Sequence, residues 1–200
     1  TGFGKLGEAY YYLGEYQNAV LAIDAGEQLN RNGMKKYMIY RGLSHVELGN
    51  FNEAEGDLNI AVDDEPESFE ARLGYAKALY GVSKFGSAFL QAESMRSLAD
   101  TDEEKALELY WRAKIQEQRN DIRDAIKSWN DLLKLDESVM TPEMRQEAQE
   151  HLKTLVPPTN TPKGGAPTST PVPVTKTPQT GTTPTVGKTP TKAPSATPTP

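Results

Sequence analysis

Residues 13–19 read LGEYQNA and residues 48–54 read LGNFNEA, so nearly the same stretch occurs twice, 35 residues apart. Both copies contain Leu, Gly, an acidic or amide residue, an aromatic ring, an amide, an acidic or amide residue, and Ala. Self-similarity at a fixed period of about 20 to 50 residues is the sequence signature of repeat architectures. The two stretches therefore predict a chain built from structural repeats.

The similarity continues more weakly in a third copy, displaced by 34 residues, and in a fourth copy, displaced by a further 37. In each copy the matched apolar and small residues lie mostly three or four positions apart. That spacing places them on one face of an α-helix and excludes a strand, whose side chains alternate with a period of two. The matched residues are Ala76, Leu79, Phe85, Ala88, Ala92 and Met95 in the third copy, and Leu109, Ala113, Ile122, Ala125, Trp129 and Leu132 in the fourth.

Gly14 and Gly49 lie between two apolar-periodic segments and predict the end of a helix, because glycine adopts the left-handed conformation without a side-chain clash. Each copy is therefore predicted to fold as helix, tight turn, helix. A small residue occurs in the middle of each first helix, where a partner helix is expected to approach closely. These small residues are Gly7, Gly42, Ala76 and Ala113, and they are predicted to lie opposite Ala19, Ala54, Ala88 and Ala125.

The period and the helix–turn–helix unit resemble the tetratricopeptide repeat family. The resemblance covers roughly residues 1 to 135 and implies an all-α fold, a right-handed superhelical stack of antiparallel helix hairpins. It places repeats at about 1–33, 34–67, 68–100 and 101–137. The chain departs from the family pattern in several ways. Ser83 and Asn120 replace the turn glycine, only Pro66 supplies the closing proline, and the tryptophan near the start of each first helix is absent.

One more helix is predicted at residues 141–155, since Thr141 can cap it and Pro142 fits its first turn. Such a terminal helix lets a stack of repeats end in water. Thr101 and Glu104 likewise form a capping-box pattern at the start of the fourth repeat. Residues 1–155 are thus predicted to form a single repeat domain.

Residues 156–200 are mostly Thr, Pro, Gly, Ala, Ser and Val and contain no aromatic residue. Such a segment cannot bury enough apolar surface to offset its ordering entropy, so it is predicted to be a disordered, extended tail or linker. Its many Thr-Pro pairs resemble the stalks of exported proteins, which predicts an extracytoplasmic or envelope location. A cytoplasmic linker or a phosphorylated Thr-Pro tail is the alternative.

The charge and the motif content exclude several function classes. The whole chain carries −6 and the four lysines of the tail contribute +4, which leaves −10 for the repeat region and argues against nucleic-acid binding. No apolar run approaches the ~20 residues that span a bilayer. There is no cysteine, and the only histidines are His45 and His151 in different elements. No catalytic set, cofactor motif or metal site can be assembled, so the chain is not expected to be an enzyme.

The function is instead expected to lie on the concave wall that the first helices of a repeat stack form. Some of the residues predicted for this wall could equally pack against neighbouring helices. Family members that grip a terminal carboxylate use basic and amide residues there, but this chain has Gly4, Glu8, Ile39 and Leu43 at those positions. The predicted wall residues are Tyr11, Tyr12, Ile39, Leu43, Glu47, Leu73, Lys77, Tyr80, Tyr110 and Lys114.

Two functions follow from the sequence. The first is a non-catalytic scaffold that binds a protein or peptide in the concave groove. The second is a regulatory or spacer segment of a larger envelope protein or enzyme, whose active domain lies outside this sequence. We expect a protein or peptide ligand, and neither nucleic acid nor membrane insertion. The sequence leaves the oligomeric state open.

Overall fold

The computed structural model describes residues 2–156, and every regular element in that range is helical. All but the first residue of the predicted tail therefore lies outside the described residues. The helices are α1 (Gly2–Tyr12), α2 (Tyr16–Leu29), α3 (Arg31–Met34), α4 (Met38–Glu47), α5 (Phe51–Asp64), α6 (Phe69–Gly81), α7 (Phe85–Arg96), α8 (Asp102–Gln118), α9 (Ile122–Leu132) and α10 (Pro142–Leu155). Short 3₁₀ turns cover Lys35–Tyr37 and Glu137–Val139.

Four antiparallel pairs, α1/α2, α4/α5, α6/α7 and α8/α9, form the stack. The second helix of each of the first three pairs also packs on the first helix of the next pair, and the first helices contact one another in order. The predicted all-α, right-handed superhelical stack of hairpins is therefore confirmed. The predicted repeat limits stay predictions, and the limit at residues 33/34 falls inside the short helix α3.

The four hairpin turns share one backbone conformation although only two of them contain glycine. Gly14 and Gly49 have φ +75°, Ser83 has φ +61° and Asn120 has φ +64°. The same backbone hydrogen bond closes each turn, as from Glu15 N to Tyr10 O at 2.9 Å and from Lys84 N to Leu79 O at 2.8 Å. The turn geometry therefore persists where the glycine is missing, at a cost of about 1–2 kcal/mol for an ordinary side chain in this conformation.

We expect Ser83→Gly to raise the free energy of unfolding by about 0.5–1 kcal/mol. The substitution removes the Cβ clash of the left-handed conformation, and the greater entropy of unfolded glycine offsets part of the gain. Urea denaturation of the full chain measures the change. The control is Ser87→Gly, an exposed position inside α7, which should lower stability by a similar amount. A loss of stability in Ser83→Gly as large as in the control would contradict the interpretation.

Close contact between the two helices of a pair depends on the small residues predicted from the repeat pattern. Ala19, Ala54, Ala88 and Ala125 are completely buried. A Cβ atom added to Gly7 would lie 2.4 Å from Ile23 Cγ1, and one added to Gly42 would lie 2.6 Å from Leu58 Cγ. The predicted close approach is therefore confirmed at both glycines. Their nearest contacts, however, are aliphatic side chains one turn beyond the expected alanines.

Gly42→Ala should destabilise the protein by about 1–3 kcal/mol, because the added methyl group overpacks the contact with Leu58. Gly56→Ala is the matched control. This glycine lies in α5 with nothing within 4 Å of an added Cβ, so its replacement should stabilise the helix by roughly 0.5–1 kcal/mol. Thermal or urea unfolding of both variants measures the two effects, and equal signs would refute the packing account.

The helix caps also follow the sequence. Thr101 Oγ1 accepts a hydrogen bond from Glu104 N at 3.1 Å, and the Glu104 carboxylate accepts one from Thr101 N at 3.1 Å, which completes the capping box. Thr141 Oγ1 accepts from Met144 N at 3.2 Å at the start of α10. The helix α10 packs on α9 and closes the last core cluster, which consists of Ala106, Ala113, Trp129, Leu132, Met140, Met144 and Ala148.

An arginine links the first two repeats through carboxylates on two neighbouring helices. The Arg41 guanidinium lies 2.7 Å from Asp24, 2.6 Å from Glu27 and 2.7 Å from Asp57, and its side chain is only 13% exposed. Burial by itself would lower the pKa of Arg41, but the hydrogen bonds that Asp57 and the other two carboxylates accept from it raise this pKa above its usual range. The positive charge of Arg41 is therefore balanced by the carboxylates around it.

Arg112 occupies the same register position in the fourth repeat, but its guanidinium is paired less well with carboxylates. Its guanidinium lies 3.0 Å from Glu108 Oε1 without hydrogen-bond geometry, and its Nε has no partner among the described residues. The Glu108 side chain is 5% exposed. Burial raises the pKa of Glu108 from 4.5 to about 7, although Arg112 lowers it.

Glu108 should make the stability of the protein depend on pH. Between about pH 4.5 and 7 the folded state binds more protons than the unfolded state at this group, so its contribution to the unfolding free energy falls as pH rises. In Glu108→Gln, the difference in unfolding free energy between pH 5 and pH 8 should change by an amount on the order of 2–3 kcal/mol. Urea unfolding at the two pH values measures this difference. If Glu108→Gln leaves this difference in unfolding free energy unchanged, folding does not raise the pKa of Glu108.

Candidate partner-binding surface

All ten residues predicted for the binding wall lie on first helices of the repeats, α1, α4, α6 and α8. Nine of them are exposed or half-buried. Leu43 is the exception, because it is only 7% exposed and packs with Ala54, Leu58 and Ala78 in the core. The prediction of Leu43 as a surface residue therefore needs correction. Helical spacing predicts which residues share the wall face of α4, but it does not predict how much of that face α5 and α6 bury.

Two of the predicted residues belong to a cluster of four tyrosines, Tyr11, Tyr12, Tyr16 and Tyr40, which we call the tyrosine cluster. The ring of Tyr11 lies 5.3 Å from Tyr12, 6.0 Å from Tyr16 and 5.6 Å from Tyr40, centroid to centroid. Tyr12 and Tyr40 are 5.7 Å apart, and Tyr12 is 67% exposed. The cluster is an aromatic surface that joins the first two repeats.

Carboxylates border the tyrosine cluster. The Tyr11 hydroxyl donates to Glu70 Oε1 at 3.3 Å, and the Tyr40 hydroxyl donates to Glu8 Oε1 at 3.0 Å. Burial, followed by hydrogen bonds and nearby carboxylates, raises the pKa of both phenols well above the usual range, and Glu47 adds to the effect on Tyr11. Within residues 2–156, these three carboxylates form no ion pair and no cation lies over the rings.

A second aromatic surface surrounds a pocket of about 380 Å³, which we call the Trp111 pocket. The rings of Tyr80 and Trp111 meet edge to face at 5.7 Å. The Phe51 ring lies on the backbone of Gly81, where an added Cβ would be 2.2 Å from Phe51 Cγ. The pocket is lined by Val46, Glu47, Phe51, Lys77, Tyr80, Gly81 and Trp111.

Lys77 provides a positive charge at the rim of the Trp111 pocket. Its Nζ lies 5.7 Å from the Trp111 ring centroid. No carboxylate of the described residues forms an ion pair with it. Lys77 and Glu47 therefore give the pocket one polar group of each sign, while aromatic and aliphatic side chains form its walls.

Tyr110 and Lys114, also predicted wall residues, are engaged by α10. The Tyr110 hydroxyl donates to the Glu147 carboxylate, and Lys114 Nζ lies 2.7 Å from Glu147 Oε1. Burial by itself would raise the pKa of Glu147, but the hydrogen bonds from Lys114 and Tyr110 lower it. His151 Nδ1 lies 2.7 Å from Glu117 Oε2 beside this pair. The terminal helix thus occupies the surface of the fourth repeat.

Tyr40 and Trp111 were missed by the sequence analysis although they complete the two aromatic surfaces. The second and fourth copies place them at the same register position, directly before Arg41 and Arg112. An aligned aromatic residue was therefore the available signal. The spacing rule used for the wall selected other positions of the helices.

The remaining depressions are less suited to binding. One of them, of about 550 Å³, is a shallow surface over the turn of Glu65–Ser68 and has no aromatic lining. In the part of the chain that the structure describes, no three His, Asp or Glu side chains are arranged to hold a metal ion. None of the described helices is long and apolar enough to cross a membrane.

The family model for the tetratricopeptide repeat matches residues 41–101. A tetratricopeptide protein of Thermus thermophilus, TTC0263, superimposes with a TM-score of 0.59 at 16% identity, covering 77% of this chain and 81% of the other. MamA from Desulfovibrio magneticus RS-1, residue 41 to its end, superimposes with a TM-score of 0.57 at 20% identity, covering 68% and 75%. At these identities the likeness shows the fold alone.

No curated protein matches the chain significantly by sequence. The family match and the solved structures agree with the stack of helix pairs described above. Residues 41–101 therefore match the tetratricopeptide repeat family model, and the helices on either side of them continue the same fold.

Proposed function

We propose that this chain is a non-catalytic scaffold that binds an extended segment of a partner protein along the face formed by α1, α4, α6 and α8. The tetratricopeptide fold supports protein interaction in general. The observation that carries the finer proposal is the Trp111 pocket, an open aromatic pocket on this face whose lysine has no carboxylate partner in residues 2–156.

The chemistry of the Trp111 pocket suits an apolar side chain of a partner. Partly exposed aromatic rings are the usual anchors of protein interfaces, because they provide a large contact area with few rotatable bonds. A pocket of about 380 Å³ lies in the size range that binds small ligands or single side chains. The pocket is supported by α4, α5, α6 and α8 together, so its walls need little ordering when a ligand binds.

The alternative is that the repeats are a regulatory or spacer segment of a larger protein. A pure spacer needs a stiff stack but makes no use of an open aromatic pocket. Substitutions inside the pocket therefore separate the two functions, provided that they leave the stack folded.

We expect Trp111→Ala and Tyr80→Ala to weaken the binding of peptides that the full chain selects from a random peptide phage library. Truncation of an interface anchor typically costs about 2 kcal/mol or more, which is roughly thirtyfold in affinity. Calorimetry measures the affinity. Binding should also change the fluorescence of Trp111, since Trp129, the second of the 2 tryptophans, is completely buried.

The control is Leu90→Ala, which removes an exposed apolar side chain of α7 outside the pocket. It should leave peptide affinity unchanged, and all three variants should keep the helical spectrum of the parent. If no peptide is enriched, or if Trp111→Ala and Tyr80→Ala bind the selected peptides as the parent does, the scaffold proposal fails.

A further inference from the structure

The tyrosine cluster and its carboxylates point to the chemistry of the bound segment. This inference rests on the proposed function and concerns the same face of the molecule. We propose that the cluster binds a basic side chain, an arginine or a lysine, of the partner segment whose apolar side chain enters the Trp111 pocket.

The rings offer the contact that a cation prefers. Tyr11, Tyr12 and Tyr40 lie within 5.3–5.7 Å of one another, and two pairs, Tyr11–Tyr12 and Tyr12–Tyr40, meet edge to face. The negative face of an aromatic ring attracts a guanidinium or an ammonium group, and several rings around one cation act together. Tyr12 is 67% exposed, so a partner can reach the cluster without unfolding any of it.

The tyrosine cluster differs from several other aromatic side chains of this chain, because they have cations of their own. Lys114 Nζ lies 5.0 Å from the Tyr110 ring centroid, and Lys77 Nζ lies 5.7 Å from that of Trp111. Arg119 lies 4.1 Å from the Phe89 ring centroid. Among residues 2–156, no lysine or arginine lies over any ring of the tyrosine cluster.

The charge around the cluster favours a cation from outside. Glu8 and Glu70 accept hydrogen bonds from the tyrosine hydroxyls, and Glu47 lies close enough to act on Tyr11. Each remains without an ion-pair partner in the described residues. An approaching arginine gains attraction from the three carboxylates in addition to the ring faces, whereas an acidic side chain is repelled.

The distance between the two surfaces sets the number of residues between the basic side chain and the apolar side chain of the partner segment. Tyr11, Tyr12 and Tyr40 of the tyrosine cluster lie on α1 and α4, and Tyr16 lies at the start of α2. The Trp111 pocket centres on α6, and Glu47 of α4 lines it. Neighbouring helices pack about 8–10 Å apart. The middle of α1 and α4 is about one and a half such spacings from α6, so the two surfaces lie roughly 12–15 Å from each other. An extended chain covers this distance in about four residues. The segment therefore carries its basic residue about four positions from its apolar anchor.

The test uses the full chain and three fluorescein-labelled peptides. The first has an arginine, a three-residue Gly-Ser-Gly spacer and a leucine. The second replaces the arginine with citrulline, which has the same shape but no charge, and the third replaces the leucine with serine. Fluorescence anisotropy at fixed salt gives each affinity. We expect citrulline to weaken binding about threefold to thirtyfold.

Two substitutions test the residues. Tyr12→Ala and Glu70→Gln should weaken binding of the arginine peptide by a similar factor and leave the citrulline peptide nearly unaffected. Glu103→Gln removes the same charge at an exposed site in the first turn of α8 and serves as the control. It should not change either affinity.

The inference is overturned if the arginine and citrulline peptides bind equally, if neither binds, or if Glu103→Gln weakens binding as much as Glu70→Gln. The serine peptide and the Trp111→Ala variant separate this inference from the proposed function. If the serine peptide and the Trp111→Ala variant both lose binding, but the arginine and citrulline peptides bind equally, the Trp111 pocket is supported and only the basic site is rejected. A citrulline effect without any leucine effect supports the basic site and rejects the pocket.

Discussion

The rest of the structure depends on the closeness of the two helices within each hairpin. At Gly7 and Gly42 there is no room for a single additional carbon atom. Bulkier residues there would separate the helices and shift the second helix of the pair, which also contacts the next repeat. Because every repeat packs on its neighbour, a small displacement of the helices in one hairpin would also displace the helices of the following repeats. The small residues therefore control the position of the first helices, where the candidate binding surface lies.

Electrostatic pairing differs between the inside and the face of the stack. Arg41 sits between repeats with three carboxylates, whereas Arg112 at the equivalent position has a neighbour, Glu108, with a raised pKa and poor hydrogen-bond geometry. Buried charges are expensive unless matched, so the fourth repeat is expected to be the less stable junction. On the face, Lys77 and Glu47 have no ion-pair partner within residues 2–156. Unpaired charges in water cost little and remain available for a partner.

The terminal helix shows how an acidic side chain meets this face. Glu147 of α10 accepts hydrogen bonds from Tyr110 and Lys114, which occupy wall positions of α8. The equivalent lysine of the third repeat, Lys77, is half-buried beside Trp111 and forms no ion pair with a carboxylate of the described residues. The terminal helix thus covers Tyr110 and Lys114 of the fourth repeat, whereas Trp111 of α8 lines the open pocket together with residues of the second and third repeats.

The sequence by itself determined the helix pairs, their period, the caps at Thr101 and Thr141 and the small residues at the hairpin contacts. These features follow from local rules, since helical spacing, capping and turn conformation depend on residues close in the chain. Only the tertiary structure decided which wall residues are exposed. Leu43 is buried because α5 and α6 cover it, and Tyr40 and Trp111 join the surface because helices distant in the chain bring other rings beside them. Burial and aromatic contact are sums over several helices, and no single helical period contains that information.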